Sequence, residues 1–231
     1  MTTTAEPPVV SRPEVQQVLA RMRELGEQLP RRDGLAVFNQ VYLTVTEQVT
    51  ASLTAGRFGD ATATAALDVL FARRYLDVAC PVSGDAAPPA AWRPLLQARH
   101  RTGITPLQFA LAGVNAHVGH DLALAVVDTC RALECEPEAL EADFDRVGVI
   151  LTALEEAVRE ALMPGPDLLD LADPLTHLVG SWSLERARDA AWAAARALWA
   201  LRGLPDVTAH LTRRLDSGVG LVSRFLLTPL G

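Results

Sequence analysis

The least polar stretch of the chain is residues 104–127, ITPLQFALAGVNAHVGHDLALAVV. Apolar residues there fall on nearly all sides of a helix, which is typical of a helix buried in the middle of a bundle. A stretch of this length and composition could also span a membrane. Because His117, His120 and Asp121 lie in its centre and the other helices are amphipathic and charged, the sequence favours a soluble central helix.

Helical periodicity continues along the rest of the chain, and no alternating run of β-branched residues is long enough for a strand. We therefore predict an all-α fold, a single-domain multi-helix bundle around a buried central helix at about residues 105–133. Residues 1–10 are predicted to be a disordered leader, and residues 11–231 the domain, with a candidate sub-boundary near 164–166. Three residues have the character of helix N-caps, namely Asp33, Asp60 and Thr105.

Composition excludes several classes of function. All 21 basic residues are arginines against 28 acidic ones, and a net charge of -7 argues against nucleic acid or an anionic membrane as a partner. The absence of lysine excludes Schiff-base chemistry, so neither pyridoxal phosphate nor a nucleotide cofactor is expected. Three cysteines without a C-x-x-C pair and an N-terminus without an export signal predict a cytoplasmic protein.

One side of the central helix carries four ionisable residues. At about 100° per residue, His117, His120, Asp121 and Asp128 share that side. The i,i+3 and i,i+4 spacings allow side chains on adjacent turns to converge on one atom. Because each buried ionisable group carries a desolvation cost unless it is paired, such clusters concentrate at functional sites.

Three interpretations of this cluster remain open. In the first, His117, His120 and Asp121 bind a divalent metal ion, with His177 among the residues of other helices that complete the ligand set. In the second, Asp121 or Asp128 orients a histidine for acid–base catalysis, and Arg74 from another helix pairs with one of these carboxylates. In the third, the cluster is a buried polar network that holds the helices in register.

Several segments resemble an actinomycete family of helical proteins known mainly as a domain of unknown function. They are Pro106 to His117 followed by Asp121-Leu122, Phe38-Asn39 to Glu47, and Phe71 to Leu76. The resemblance covers most of residues 33–160 and implies a single helical domain. It also singles out the helix that carries His117 and Asp121, and it implies no activity.

The adjacent His120 and Asp121 also resemble the doublet of the metal-dependent HD phosphohydrolases. That family's pattern adds an upstream histidine and a distant aspartate, which here would be His100 and Asp189. This resemblance implies an HD-type phosphohydrolase as one alternative.

The function we expect is a metal-assisted or His/Asp acid–base enzyme, a hydrolase or lyase, acting on a small, partly apolar molecule. Its catalytic residues would be His117, Asp121, Asp128 and Arg74, in a pocket on the central helix. The alternative from another class is a non-catalytic ligand-binding or dimerisation protein with a structural His/Asp network. A homo-oligomer is a further expectation.

Overall fold

The computed structural model describes residues 12–81, 87–162 and 182–229, which form helices and no strand. These helices are α1 (Arg12–Gln28), α2 (Gly34–Thr54), α3 (Ala61–Ala79), α4 (Arg93–Ala98), α5 (Pro106–Leu133), α6 (Glu138–Leu162), α7 (Leu184–Ala200) and α8 (Pro205–Leu226). The all-α prediction is confirmed. The predicted leader and the candidate sub-boundary lie outside the described residues, as do most of the residues between α6 and α7.

The predicted N-caps are present. Asp33 accepts a hydrogen bond from the N–H of Leu35, and Asp60 accepts from the first turn of α3. Thr105 and Gln108 form a capping box at the start of α5. Each of these side chains satisfies backbone N–H groups that a helix start leaves without partners, so the helices begin where the local sequence predicts.

Helix α5 is the centre of the bundle. Helices α2 and α8 pack on its N-terminal half, and α3 and α7 pack on its C-terminal half. One apolar core, which includes Phe38, Tyr75 and Trp92, surrounds the first half, and a second, which includes Val126 and Leu198, surrounds the other. Although α5 is long and apolar enough to cross a membrane, 78% of its most apolar window is buried in the protein, as in the core helix of a soluble protein.

Helices α2 and α5 pack closely together at Gly113, where α5 has no side chain. A Cβ atom on Gly113 would lie 2.4 Å from ring atoms of Phe38, which is itself fully buried. Since such a distance is far below van der Waals contact, a larger residue at position 113 would displace Phe38 from the core.

We expect Gly113→Ala to lower the free energy of unfolding by about 1–3 kcal/mol, because the added methyl group overpacks the contact with Phe38. Gly218→Ala is the matched control, since Gly218 is exposed in α8 and its Cβ would have no atom within 4 Å. There we expect a gain of about 0.5–1 kcal/mol from helix propensity alone. Urea unfolding measures both values, and equal effects at the two sites would contradict the close approach.

Candidate functional site

The His/Asp cluster lies on a π turn within α5. Residues His117–Asp121 form this turn, and the N–H of Leu122 bonds to the carbonyl oxygen of His117, five residues back. The wider turn places side chains four residues apart more nearly above one another than in an α-helix. His117 and Asp121 therefore meet directly. Single π turns of this kind are frequent at functional sites.

Three N–H groups donate hydrogen bonds to the Asp121 carboxylate. Nδ1 of His117 lies 2.9 Å from Oδ2, and Nδ1 of His120 lies 2.7 Å from Oδ1. From α4's N-cap position, the indole Nε1 of Trp92 donates to Oδ2 at 2.9 Å. Both oxygens of this buried carboxylate are thus satisfied by donors from two elements.

The imidazole of His117 is 1% exposed and is surrounded by five aromatic rings. The ring of Phe71 stacks on it at 3.6 Å with an angle of 6° between the planes. The ring of Tyr42 meets it edge-on at 4.4 Å. We call the five rings the aromatic cage; they are Phe38, Tyr42, Phe71, Tyr75 and Trp92.

The protonation states of His117 and Asp121 follow from this buried environment. Burial alone would raise the pKa of Asp121, but hydrogen bonds from His117 and His120 lower that pKa to about 2, so the carboxylate is ionised. Burial also lowers the pKa of His117 against the opposing effect of Asp121. His117 is therefore neutral at physiological pH. Since an ionised carboxylate only accepts hydrogen bonds, the proton of His117 is on Nδ1, and Nε2 carries a lone pair.

Beside His117 lies a cavity of about 150 Å³. Its walls are almost entirely apolar and include Val45, Leu67, Leu111, Val114, Leu140 and Trp182. Three polar residues that line it, Tyr42, Asp68 and His117, each have a buried atom without a hydrogen-bond partner among the described residues. These atoms are Tyr42 Oη, Asp68 Oδ2 and His117 Nε2.

The carboxyl group of Asp68 has an unusual environment for an aspartate. Burial raises its pKa to about 7. Its negative charge in turn adds to the effect of burial in raising the pKa of Tyr42 well above the usual range. Near neutral pH, Asp68 is therefore divided between its neutral and ionised forms.

Two of the predicted catalytic residues lie apart from the cluster. Arg74 on α3 forms an ion pair with Asp128, and Arg131 lies 3.5 Å from the same aspartate. Both members of the Arg74–Asp128 pair are partly exposed. The charge of Arg74 still contributes, after burial, to lowering the pKa of His117. The structure thus brings His117, His120 and Asp121 together and places Arg74 and Asp128 in a neighbouring pair.

The predicted metal ligands do not converge on one point in the described part of the chain. There, no group of three or more His, Cys, Asp or Glu side chains is arranged to hold a metal ion. His177 lies outside the described residues. The four positions of the HD pattern are also apart, because His100 is exposed beside Asp33 whereas His120 and Asp121 are buried.

Four residues of the site were not predicted from the sequence. Tyr42 and Asp68 line the cavity, Trp92 bonds to Asp121, and Asp216 on α8 lies 3.8 Å from Nε2 of His120. The i,i+3 spacing of Asp68 and Phe71 would place that acid on the apolar face of α3, a signal that was available. Trp92 and Asp216 are distant in sequence from their partners, so no local pattern indicates them.

We expect Asp121→Asn to lower the free energy of unfolding by about 2–4 kcal/mol, because one amide oxygen cannot accept from three buried N–H donors. Asp128→Asn removes the same charge from a partly exposed pair on the same helix, and there we expect less than about 1 kcal/mol. Urea unfolding at neutral pH measures both. A similar loss in the two variants would contradict the role of Asp121 as the central acceptor.

Asp68 should make stability depend on pH. Its pKa is about 7 in the folded chain and about 4 in the unfolded chain, so the folded state loses stability as the pH rises through that window. Asp68→Asn removes this titration. Relative to wild type, we expect the variant to gain about 2 kcal/mol between about pH 5 and about pH 8.

Unfolding by urea at the two pH values tests this expectation. Asp77→Asn is the control, because Asp77 is an exposed carboxylate on the same helix. If Asp68→Asn and Asp77→Asn follow the same pH profile, Asp68 does not titrate as the structure indicates.

Comparison with known proteins identifies the chain at family level. Neither the curated proteins nor the solved structures contain a significant match. The family described as "Family of unknown function (DUF5995)" matches residues 15–229, which include every helix that contributes to the cavity. The chain therefore belongs to the DUF5995 family of unknown function.

Proposed function

We propose that the protein binds a small, largely apolar molecule in the cavity and that His117 acts on it as a general base. The observation that supports this is the Nε2 atom of His117, which is buried at an apolar cavity without a hydrogen-bond partner among the described residues. A neutral imidazole in this position accepts a hydrogen bond or a proton from whatever occupies the cavity.

The roles within the pair follow from their protonation states. Asp121 holds the proton of His117 on Nδ1 and orients the ring, while Phe71 and Tyr42 fix the plane of the ring. When Nε2 takes a proton from the bound molecule, the negative charge of Asp121 stabilises the imidazolium. Asp121 is therefore a positioning residue, and His117 is the group that touches the ligand.

Size and polarity define the class of ligand. Apolar cavities of about this volume bind molecules of the size of benzene. Since Nε2 of His117 only accepts, the ligand carries an O–H or N–H group on an apolar body. The three free cysteines, Cys80, Cys130 and Cys135, support placing the protein in the reducing cytoplasm.

A non-catalytic ligand-binding protein is the second candidate, and the aromatic cage favours it. Five rings pack around His117, so its imidazole also contributes to the core as an aromatic side chain would. In that case the same molecule binds in the same cavity and leaves unchanged. The binding experiment below applies to both candidates, and turnover of the bound molecule distinguishes them.

Phenol and toluene test the acceptor role of His117, because they differ by a hydroxyl in place of a methyl group. We expect the ratio of their dissociation constants, measured by titration calorimetry, to shift against phenol by about tenfold in His117→Phe. The substituted ring keeps the stacking on Phe71 but cannot accept a hydrogen bond. His100→Phe, at an exposed histidine, is the control and should leave the ratio unchanged.

Wild-type protein provides a second readout that does not depend on the variant folding. We expect the ¹⁵N resonance of His117 Nε2 to shift on addition of phenol and not of toluene. Both titrations are repeated with a chelator in protein purified without a polyhistidine tag. An unchanged ratio in His117→Phe, or a phenol preference that vanishes with the chelator, would overturn the direct contact.

A further inference from the structure

Buried polar atoms without partners are concentrated at the cavity. Five such side-chain atoms occur in the described residues, and three of them, Tyr42 Oη, Asp68 Oδ2 and His117 Nε2, belong to residues that line this one cavity. They come from α2, α3 and α5, three separate helices. Each such atom costs about 1–3 kcal/mol when it is buried without a hydrogen bond, so a molecule in the cavity that bonds to these atoms would stabilise the folded chain.

The chemistry of these three atoms is that of acceptors. His117 Nε2 only accepts, because its proton is on Nδ1. An ionised Asp68 only accepts as well, and the Tyr42 oxygen has lone pairs in addition to its proton. A ligand that satisfies all three therefore offers more than one N–H or O–H donor.

The charge of Asp68 narrows the choice of ligand further. Within the described ranges, no arginine or histidine is seen to form an ion pair with Asp68, although Arg188 lines the same cavity. Arg188 donates to the carbonyl oxygen of Phe144 and lies over its ring, and Arg146 pairs with Asp143. The sequence contains no lysine, which leaves arginine as the only long basic side chain. A buried carboxylate without a counter-ion is a site for an external cation.

We infer that the cavity takes a small apolar molecule with a primary ammonium group, which Asp68 binds as its counter-ion. This inference rests on the proposed function, since it specifies the ligand of the same cavity. An ammonium group has three N–H donors, one for each of Asp68, His117 Nε2 and the Tyr42 oxygen. The rings of Tyr42 and Phe71 also offer faces to a cation.

The apolar part of the ligand would contact the apolar walls of the cavity. The apolar walls of the cavity come from α2, α3, α5, α6 and α7, and the other polar side chains that line it, such as Arg188, have partners among the described residues. Away from these polar side chains, a second polar group on the ligand would be buried without a partner. An aromatic or short aliphatic amine fits both the volume and the polarity.

Three ligands with the same benzene ring separate the contributions of charge and shape to the binding affinity. Benzylamine carries the ammonium, benzyl alcohol is neutral, and benzoate has the opposite charge. At about pH 8, where Asp68 is largely ionised, we expect benzylamine to bind wild type about tenfold or more tightly than benzyl alcohol, and benzoate not to bind. Titration calorimetry measures the three dissociation constants.

Asp68→Asn tests the carboxylate at constant shape. We expect the variant to bind benzylamine no better than benzyl alcohol, with the affinity for benzyl alcohol unchanged. Asp77→Asn removes a carboxylate from the exposed side of the same helix and should behave as wild type. In wild type, the ¹³C resonance of the Asp68 carboxyl should shift with benzylamine alone, a readout that remains if the variant fails to fold.

The outcomes distinguish this inference from the proposed function. If phenol and benzyl alcohol bind and benzylamine is not preferred, the ammonium inference is overturned and the proposed function stands. If benzylamine is preferred equally in wild type and in Asp68→Asn, the cation is bound elsewhere and the inference is also overturned. If none of these molecules binds, water alone satisfies the three atoms, and both proposals fail.

Discussion

The structure depends on a buried negative charge in the middle of its central helix. Removing a carboxylate from water costs several kcal/mol unless hydrogen bonds replace the lost solvation. At Asp121, three N–H donors from Trp92, His117 and His120 provide that replacement. None of them is a guanidinium, and Trp92 and the neutral His117 contribute dipoles rather than a counter-charge.

Those three donors also organise the surrounding elements. Trp92 stands at the start of the short helix α4, and its bond to Asp121 ties that helix to α5. His120 lies between Asp121 and Asp216, and Asp216 in turn accepts the backbone N–H groups of Ala90 and Ala91. The segment before α4 is therefore held by α5 and α8 together. Both histidines bond to this one carboxylate within the π turn.

The sequence predicted the features that depend on contacts between residues close together in the chain. The caps at Asp33, Asp60 and Thr105 are contacts within a few residues, and the central helix follows from the apolar run after Thr105. The i,i+4 spacing likewise brought His117 to Asp121, whereas His120 is the sequence neighbour of Asp121. A regular 100° step placed Asp128 with them, but Asp128 lies two turns further along and pairs with Arg74 of α3. Contacts such as Trp92 with Asp121 depend on how distant helices pack, and no periodicity contains that information.

One physical condition links the neutral histidine, the apolar cavity and the unpaired aspartate. The rings of Tyr42 and Phe71 exclude water from His117, which lowers its pKa and leaves a lone pair on Nε2. The same low polarity raises the pKa of Asp68, because none of the cations described pairs with it. Burial keeps His117 neutral and opposes the ionisation of Asp68, and the proposed ammonium ligand would give both residues a hydrogen-bond partner. In the function proposed above, the unsatisfied polar atoms of these two residues would make the cavity selective for its ligand.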